Sequence, residues 1–298
     1  MARSEALARV EKMYIDGFPQ AEDASVDELR ACYDALLQQF PLPPEATTAE
    51  RELGGVPTAT VTAPGAATDK VLLWFHGGGY VLGSAKAFRE MGYGLSKASG
   101  LTVVLPDYRL APEHKFPAAV EDGVAVTSAA IAKYGAGNVF GGGDSAGGGL
   151  AVSTLVSLRD RGEALPSGAV LISPLLDCTA SGETIDTNAA TDIAVSRDSI
   201  SGLGAAYLQG HDPKDPLASP LFAQLHGLPP VLVMVGSTEA LLDDARRFDK
   251  ALSAAGGTVK VSVYDDMCHV WTLFSSILPE GEAALDEAGR FLRQHAGL

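Results

Sequence analysis

Residues 138–158 read NVFGGGDSAGGGLAVSTLVSL, a short apolar run, a cluster of glycines around a serine, and a second apolar run of helical character. Gly143, Ser145 and Gly147 form the single GxSxG in the chain. So short a motif is weak by itself. Its context is specific: a strand, a sharp turn and a helix together raise a serine hydroxyl to the top of a sheet, and small glycines let the turn close. The stretch therefore predicts a strand-turn-helix unit inside an α/β domain.

Working outward, apolar and β-branched runs recur as TATVTA, KVLLWF, LTVVLPD, AVLISPLL, PVLVMVG and VKVSVYD. Helical patterns lie between them, starting near Lys86, Pro117, Gly147, Leu241 and Glu280. Runs this continuous imply strands buried on both faces, and their alternation with helices implies a mostly parallel sheet covered on both sides. One domain spanning residues 1–298 is expected. Two segments stand apart. Residues 1–50 carry the helical patterns LARVEKMYIDGF and SVDELRACYDALLQQF, the second opening with Ser25 and Glu28 at capping-box spacing, before a linker-like PLPPEATT. Residues 178–225 are polar and turn-rich and interrupt the alternation, as an insertion over the strand ends would.

The net charge of −15 speaks against a nucleic-acid partner, because phosphate recognition needs clustered Lys and Arg. No apolar run of about 18 residues and no signal-peptide pattern is visible, so a cytoplasmic chain without a membrane span is expected. Cys32, Cys178 and Cys268 lack the spacing of a disulfide framework or zinc site and read as free thiols; no metal and no cofactor is expected.

Serine is a poor nucleophile at neutral pH and needs a base that is itself oriented by an acid. In α/β hydrolases these follow in the order Ser, acid, His. Only His211, His226, His269 and His295 lie after Ser145. His295 falls in a polar terminal helix and His211 and His226 in the insertion, whereas His269 follows the strand-like VKVSVYDD at the edge where ligand sites of open sheets form. For the acid, Glu239, Asp243 and Asp244 follow PVLVMVG. Glu239 comes first after the strand, and the two aspartates enter a helix whose N-terminus favours carboxylates in any case.

A second glycine cluster, FHGGGY at 75–80, ends the run KVLLWF. Attack on a carbonyl creates an oxyanion, and bare backbone N–H groups are the means of meeting it. Gly78 and Gly79, with Ala146 after the nucleophile, are the expected donors, and Gly77 a hinge. A phosphate-binding loop is the rival reading of such clusters, but neither GxxxxGK[ST] nor GxGxxG is present.

HGGGY (76–80), DYRLAPEHKFPAAVED (107–122), GDSAGG (143–148), ISPLLD, LPPVLVMVGSTEALLDD and CHVWTLF (268–274) together resemble the hormone-sensitive-lipase-like carboxylesterases of the α/β-hydrolase fold. The resemblance implies a triad of Ser145, Glu239 and His269 and an oxyanion hole of Gly78, Gly79 and Ala146. It also implies His76 as a loop-positioning residue, structural roles for Asp107 and Arg109, no base role for His114, and a helical cap made of about residues 1–50 plus 178–225. At the acid the family commonly reads Asp-Pro-Leu where this chain has Glu-Ala-Leu; a subset resembling lactone and acetyl hydrolases uses Glu. The expected function is hydrolysis of short-to-medium acyl esters through an acyl-enzyme, in a pocket bounded by Tyr80, Trp271 and Phe274. A lactone or N-acetyl hydrolase on the same triad is the alternative. A noncatalytic receptor, as plant gibberellin receptors are, would have lost a triad member. The partner expected is a small-molecule ester, and similar enzymes are commonly homodimers.

Overall fold

The apolar runs form strands because both their faces can be covered, and the resulting sheet carries the whole site. A computed structural model describes residues 4–18 and 24–298, so residues 1–3 and 19–23 of the segment assigned to the cap lie outside the described residues. The strands are β1 (Thr47–Leu53), β2 (Val56–Thr62), β3 (Ala67–Phe75), β4 (Leu101–Pro106), β5 (Val139–Asp144), β6 (Ala169–Ile172), β7 (Val231–Gly236) and β8 (Val259–Tyr264). They form one sheet in the order β1-β2-β4-β3-β5-β6-β7-β8. Pairing is antiparallel from β1 through β2 to β4 and parallel across the rest. Every residue of β4, β5, β6 and β7 is buried, which is why these strands read as unbroken apolar runs. β1 was not expected. Its sequence TTAEREL is polar because it is an edge strand with both faces largely in water, so neither alternation nor an apolar run marks it.

The helices are α1 (Glu5–Gly17), α2 (Val26–Leu37), α3 (Arg89–Ser99), α4 (Ala118–Tyr134), α5 (Ala146–Asp160), α6 (Thr184–Thr187), α7 (Arg197–Leu208), α8 (Leu242–Ala254) and α9 (Pro279–Ala296). Ser25 and Glu28 form the expected capping box: Glu28 N–H donates to Ser25 Oγ at 3.3 Å and Ser25 N–H to Glu28 Oε2 at 2.9 Å. α5 is apolar all round and buried from Ala146 to Leu158, as a helix enclosed by sheet and neighbours must be. α8 buries Leu242, Ala245, Phe248 and Leu252, the single stripe of a surface helix. α1, α2 and α7, from the two segments that stand apart from the alternation, line a cavity above the C-terminal ends of the parallel strands. Among the described residues no helix is long and apolar enough to cross a membrane, and Cys32, Cys178 and Cys268 are free.

Phe140 is fully buried on β5 near the centre of the sheet, whereas Thr48 on β1 is exposed. Phe140→Ala is expected to lower stability by about 3–5 kcal/mol and Thr48→Ala by no more than about 0.5 kcal/mol, read from urea denaturation. Equal losses would contradict this assignment of core and edge.

Candidate active site

Ser145 occupies the turn between β5 and α5 with φ 52° and ψ −123°, a conformation that a non-glycine residue adopts only where its surroundings enforce it. The glycines explain how the turn closes. A Cβ on Gly147 would collide with the Phe75 carbonyl, and one on Gly143 with the backbone of Gly147. Close approach, rather than backbone freedom, is what both glycines supply.

His269 and Glu239 reach Ser145 from the loops after β8 and β7. His269 Nε2 lies 3.0 Å from Ser145 Oγ, and His269 Nδ1 lies 2.9 Å from Glu239 Oε2. Glu239 is fully buried; its Oε1 accepts from Ser173 Oγ at 2.7 Å and from the Gly236 N–H at 2.5 Å. Ser173 Oγ in turn accepts the N–H of Val270 at 3.1 Å, so one hydroxyl ties the glutamate to the histidine's loop. Burial disfavours the imidazolium of His269, but the hydrogen bond and charge of Glu239, with the charges of Asp192 and Asp144, outweigh it and hold its pKa above the ordinary value. Burial pushes Glu239 upward, opposed by its hydrogen bond and charge interaction with His269.

The alternative acids point elsewhere. Asp243 accepts the N–H of Glu183 at 3.1 Å. Asp244 is buried beside the N–H groups of Leu176 and Asp177, at 2.9 and 3.0 Å, and burial raises its pKa to about 7. The other histidines also lie apart: His211 pairs with Asp215 at 2.8 Å, and His295 Nδ1 faces the Phe291 carbonyl at 2.9 Å.

The glycine triplet follows β3. Gly78 has φ +114°, and a Cβ there would strike the Leu82 carbonyl. Gly78 and Gly79 line the cavity with Ser145, and among the described residues no protein acceptor takes up the N–H of Gly78, Gly79 or Ala146. For Ala146 this follows from its place in the first turn of α5, where helix N–H groups have no partner in the helix. Gly77 is not the expected hinge. Its N–H donates to Asp144 Oδ2 at 2.9 Å, and a Cβ would strike that same oxygen, so it is pinned. His76 is buried, stacked on Tyr108 at 4.4 Å between ring centroids, with Nδ1 2.8 Å from the Gly77 carbonyl; it packs and steadies this loop. Asp107 accepts the Ala85 N–H, and Arg109 pairs with Asp122 at 2.8 Å, both supporting contacts away from the reacting groups.

The cavity holds about 690 Å³. Tyr80 lines it, with its ring stacked on Tyr207 at 3.9 Å. Trp271 and Phe274 do not, which corrects the expectation for them. The turn after His269 directs both into the core: Trp271 Nε1 donates to the Glu280 carbonyl at 3.1 Å, and Phe274 packs edge-on to Tyr14 and Phe40 at 5.0 and 5.7 Å. The walls come instead from Tyr14 and Tyr33 of the N-terminal helices, Leu175, Ile193–Val195, and Gly202–Gly204 of α7. Among the described residues lining it, none carries a charged side chain other than His269 when protonated. Ser173 and Tyr14 were not anticipated. Ser173 is the serine of the quoted ISPLLD, directly after β6, but nothing local distinguishes a carboxylate-binding serine from any serine after a strand. Tyr14, whose hydroxyl donates to the His269 carbonyl at 2.8 Å, reads in sequence as one more apolar position of α1.

A family model described as alpha/beta hydrolase fold matches residues 72–273. An acetyl-hydrolase of Streptomyces hygroscopicus is 42% identical over 241 residues, 80% of this chain and 81% of the relative. An esterase of Acinetobacter venetianus is 33% identical over 275 residues, covering 92% and 90%. The crystal structure of an esterase from the bacterial hormone-sensitive lipase family superposes with a TM-score of 0.97 at 45% identity, over 99% of this chain and 100% of that one. EstE5 soaked with p-nitrophenyl butyrate matches with a TM-score of 0.94 at 38% identity, over 99% and 100%. The chain belongs to the esterases of the bacterial hormone-sensitive lipase family, hydrolases of the α/β-hydrolase fold.

Proposed function

We propose that this esterase hydrolyses uncharged esters of short to medium acyl chain through an acyl-enzyme, with Ser145 as nucleophile, His269 as base and Glu239 as the orienting acid. The observation that carries the reading is the continuous hydrogen-bonded row from Glu239 Oε2 through His269 to Ser145 Oγ, at 2.9 and 3.0 Å, opening into an uncharged cavity. Ser145 Oγ attacks the carbonyl carbon while His269 Nε2 takes its proton, and buried Glu239 stabilises the imidazolium. The oxyanion forms where the free N–H groups of Gly78, Gly79 and Ala146 can donate to it, each such donor contributing roughly 3–4 kcal/mol. Collapse breaks the bond to the alcohol, which leaves with the proton from His269. Water, deprotonated by the same nitrogen, then releases the acid and restores Ser145.

Burying a carboxylate or ammonium without a partner is costly, and no side chain of the described lining supplies a formal counter-charge except protonated His269. That supports neutral groups on both sides of the ester. The relative named acetyl-hydrolase favours keeping an acetyl ester or N-acetyl amide as a second reading, which the substrate series below separates.

Three measurements check the proposal. Ser145→Ala is expected to lose on the order of 10⁵ or more in kcat with its fold retained, and to lose fluorophosphonate labelling; Glu239→Gln should lose on the order of 10³–10⁴ and Asp243→Asn about tenfold or less. Retained labelling, or a reversed order of the two carboxylates, overturns the assignment.

In a p-nitrophenyl ester series, kcat/KM should peak at acyl chains of about four to eight carbons, each methylene first adding roughly 0.8 kcal/mol and then colliding with the walls. Acidic hemiesters should react far more slowly than neutral esters of equal length. A peak at acetate with cleavage of acetanilide would favour the second reading, and a peak at long-chain triglyceride would refute both.

The pH profile follows from the raised pKa of His269. Because the base must be neutral to accept the serine proton, raising its pKa keeps it protonated and inactive to higher pH. The acid limb of kcat/KM should therefore be centred above about 6.5, the ordinary histidine value. A limb near pH 4 would point to a carboxylate base.

A further inference from the structure

The loop bearing Glu239 is held from outside the sheet. Four consecutive carbonyls, those of residues 237–240, each face a donor from the insertion between β6 and β7. Asn188 Nδ2 donates to the carbonyls of Ser237 and Glu239 at 3.1 and 2.8 Å. Thr191 Oγ1 lies 3.1 Å from the Thr238 carbonyl, and Thr184 Oγ1 donates to that of Ala240 at 2.7 Å while accepting the Asp243 N–H at 2.8 Å. The Ala240 N–H donates to Asp192 Oδ2 at 2.7 Å. The other oxygen of Asp192 accepts the N–H groups of Ala194 and Val195, both at 2.9 Å, in the stretch that walls the cavity. One carboxylate thus joins the substrate wall to the peptide adjoining Glu239.

We infer that Asn188 and Asp192 are positioning residues for the reaction: the segment 184–192, grouped with the cap by sequence, seats the backbone of the acid loop, and Glu239 meets His269 only while that segment is docked. This rests on Glu239 being the orienting acid. The ladder has no equivalent on the rest of the insertion. His211, for example, pairs with Asp215 at 2.8 Å, outside the 184–192 segment, and has no hydrogen bond to the acid loop. Through the Asn188 side chain, whose hydrogen bonds among the described residues go only to the acid loop, docking therefore acts on the transition state, where Glu239 stabilises the imidazolium, more than on substrate binding.

The test compares Asn188→Leu and Asp192→Asn with His211→Ala in the full chain, using p-nitrophenyl butyrate. Asn188→Leu keeps the size and removes both donors. Asp192→Asn offers one acceptor where two are used. Both are expected to lower kcat by about 10- to 100-fold, since a displacement near 1 Å of a catalytic group costs on that order, with KM changed by less than about threefold in Asn188→Leu; His211→Ala should stay within about threefold in kcat. The low-field proton of the His269–Glu239 hydrogen bond should shift or broaden in the first two variants and persist in the third. If Asn188→Leu does not fold, Thr184→Val against Thr184→Ser gives the same comparison, with the serine hydroxyl expected to rescue kcat. Wild-type kcat and an unchanged low-field proton in Asn188→Leu, or an equal loss in His211→Ala, overturn the inference. Failure of the underlying acid assignment would show separately, as an active Glu239→Gln.

Discussion

A carboxylate sealed from water holds together the two glycine clusters on which the rest of this site depends. Asp144, the last residue of β5, accepts from Trp74 Nε1 on β3 and from the Gly77 N–H, each at 2.9 Å. Those two bonds fix the start of the glycine triplet relative to the turn that carries Ser145. The placement of the Gly78 and Gly79 N–H groups relative to Ser145 is thereby governed by one side chain spanning neighbouring strands. Burial raises the pKa of Asp144 to about 7, against which the Trp74 donor and the charge of His269 act. A carboxylate there without both donors would be among the most costly groups in the molecule.

What was legible in the sequence is what β-strand burial and glycine packing impose locally. β3, β5 and β7 are buried over most or all of their length and must be apolar, and GGGDSAGGG must be small because backbone carbonyls occupy the space of its side chains. The order of Ser145, Glu239 and His269 along the chain then followed from where parallel strands end. What was not legible depends on contacts between distant segments. Trp271 and Phe274 stand near His269 in sequence, yet the turn between them rotates both into the core. Ser173, Asn188 and Asp192 are ordinary polar residues whose partners lie 66, 51 and 48 residues away. β1 was invisible because an exposed edge strand has no apolar face to announce it.

Charge is distributed unevenly between surface and cavity. The chain carries a net −15, yet its described cavity lining holds no Asp, Glu, Lys or Arg. The acidic groups that act on the site, Glu239, Asp144 and Asp192, stand behind its lining and work through His269 and backbone N–H groups. An approaching anion meets a repulsive field outside and no formal counter-charge within beyond protonated His269. A neutral ester would meet apolar walls and, beside Ser145, the bare N–H groups of Gly78 and Gly79.

The bond from the Tyr14 hydroxyl to the His269 carbonyl joins residues 255 positions apart, and the Tyr14 ring lies edge-on to Phe274 at 5.0 Å. α1 therefore rests on a turn that follows the last strand of the sheet. During synthesis at roughly 5–20 residues per second, this helix leaves the ribosome ahead of that turn and waits many seconds for the surface that will cover Tyr14. Until then the Tyr14 face of α1 is open to solvent and to other nascent chains. Tyr14 is made well before the surface that buries it.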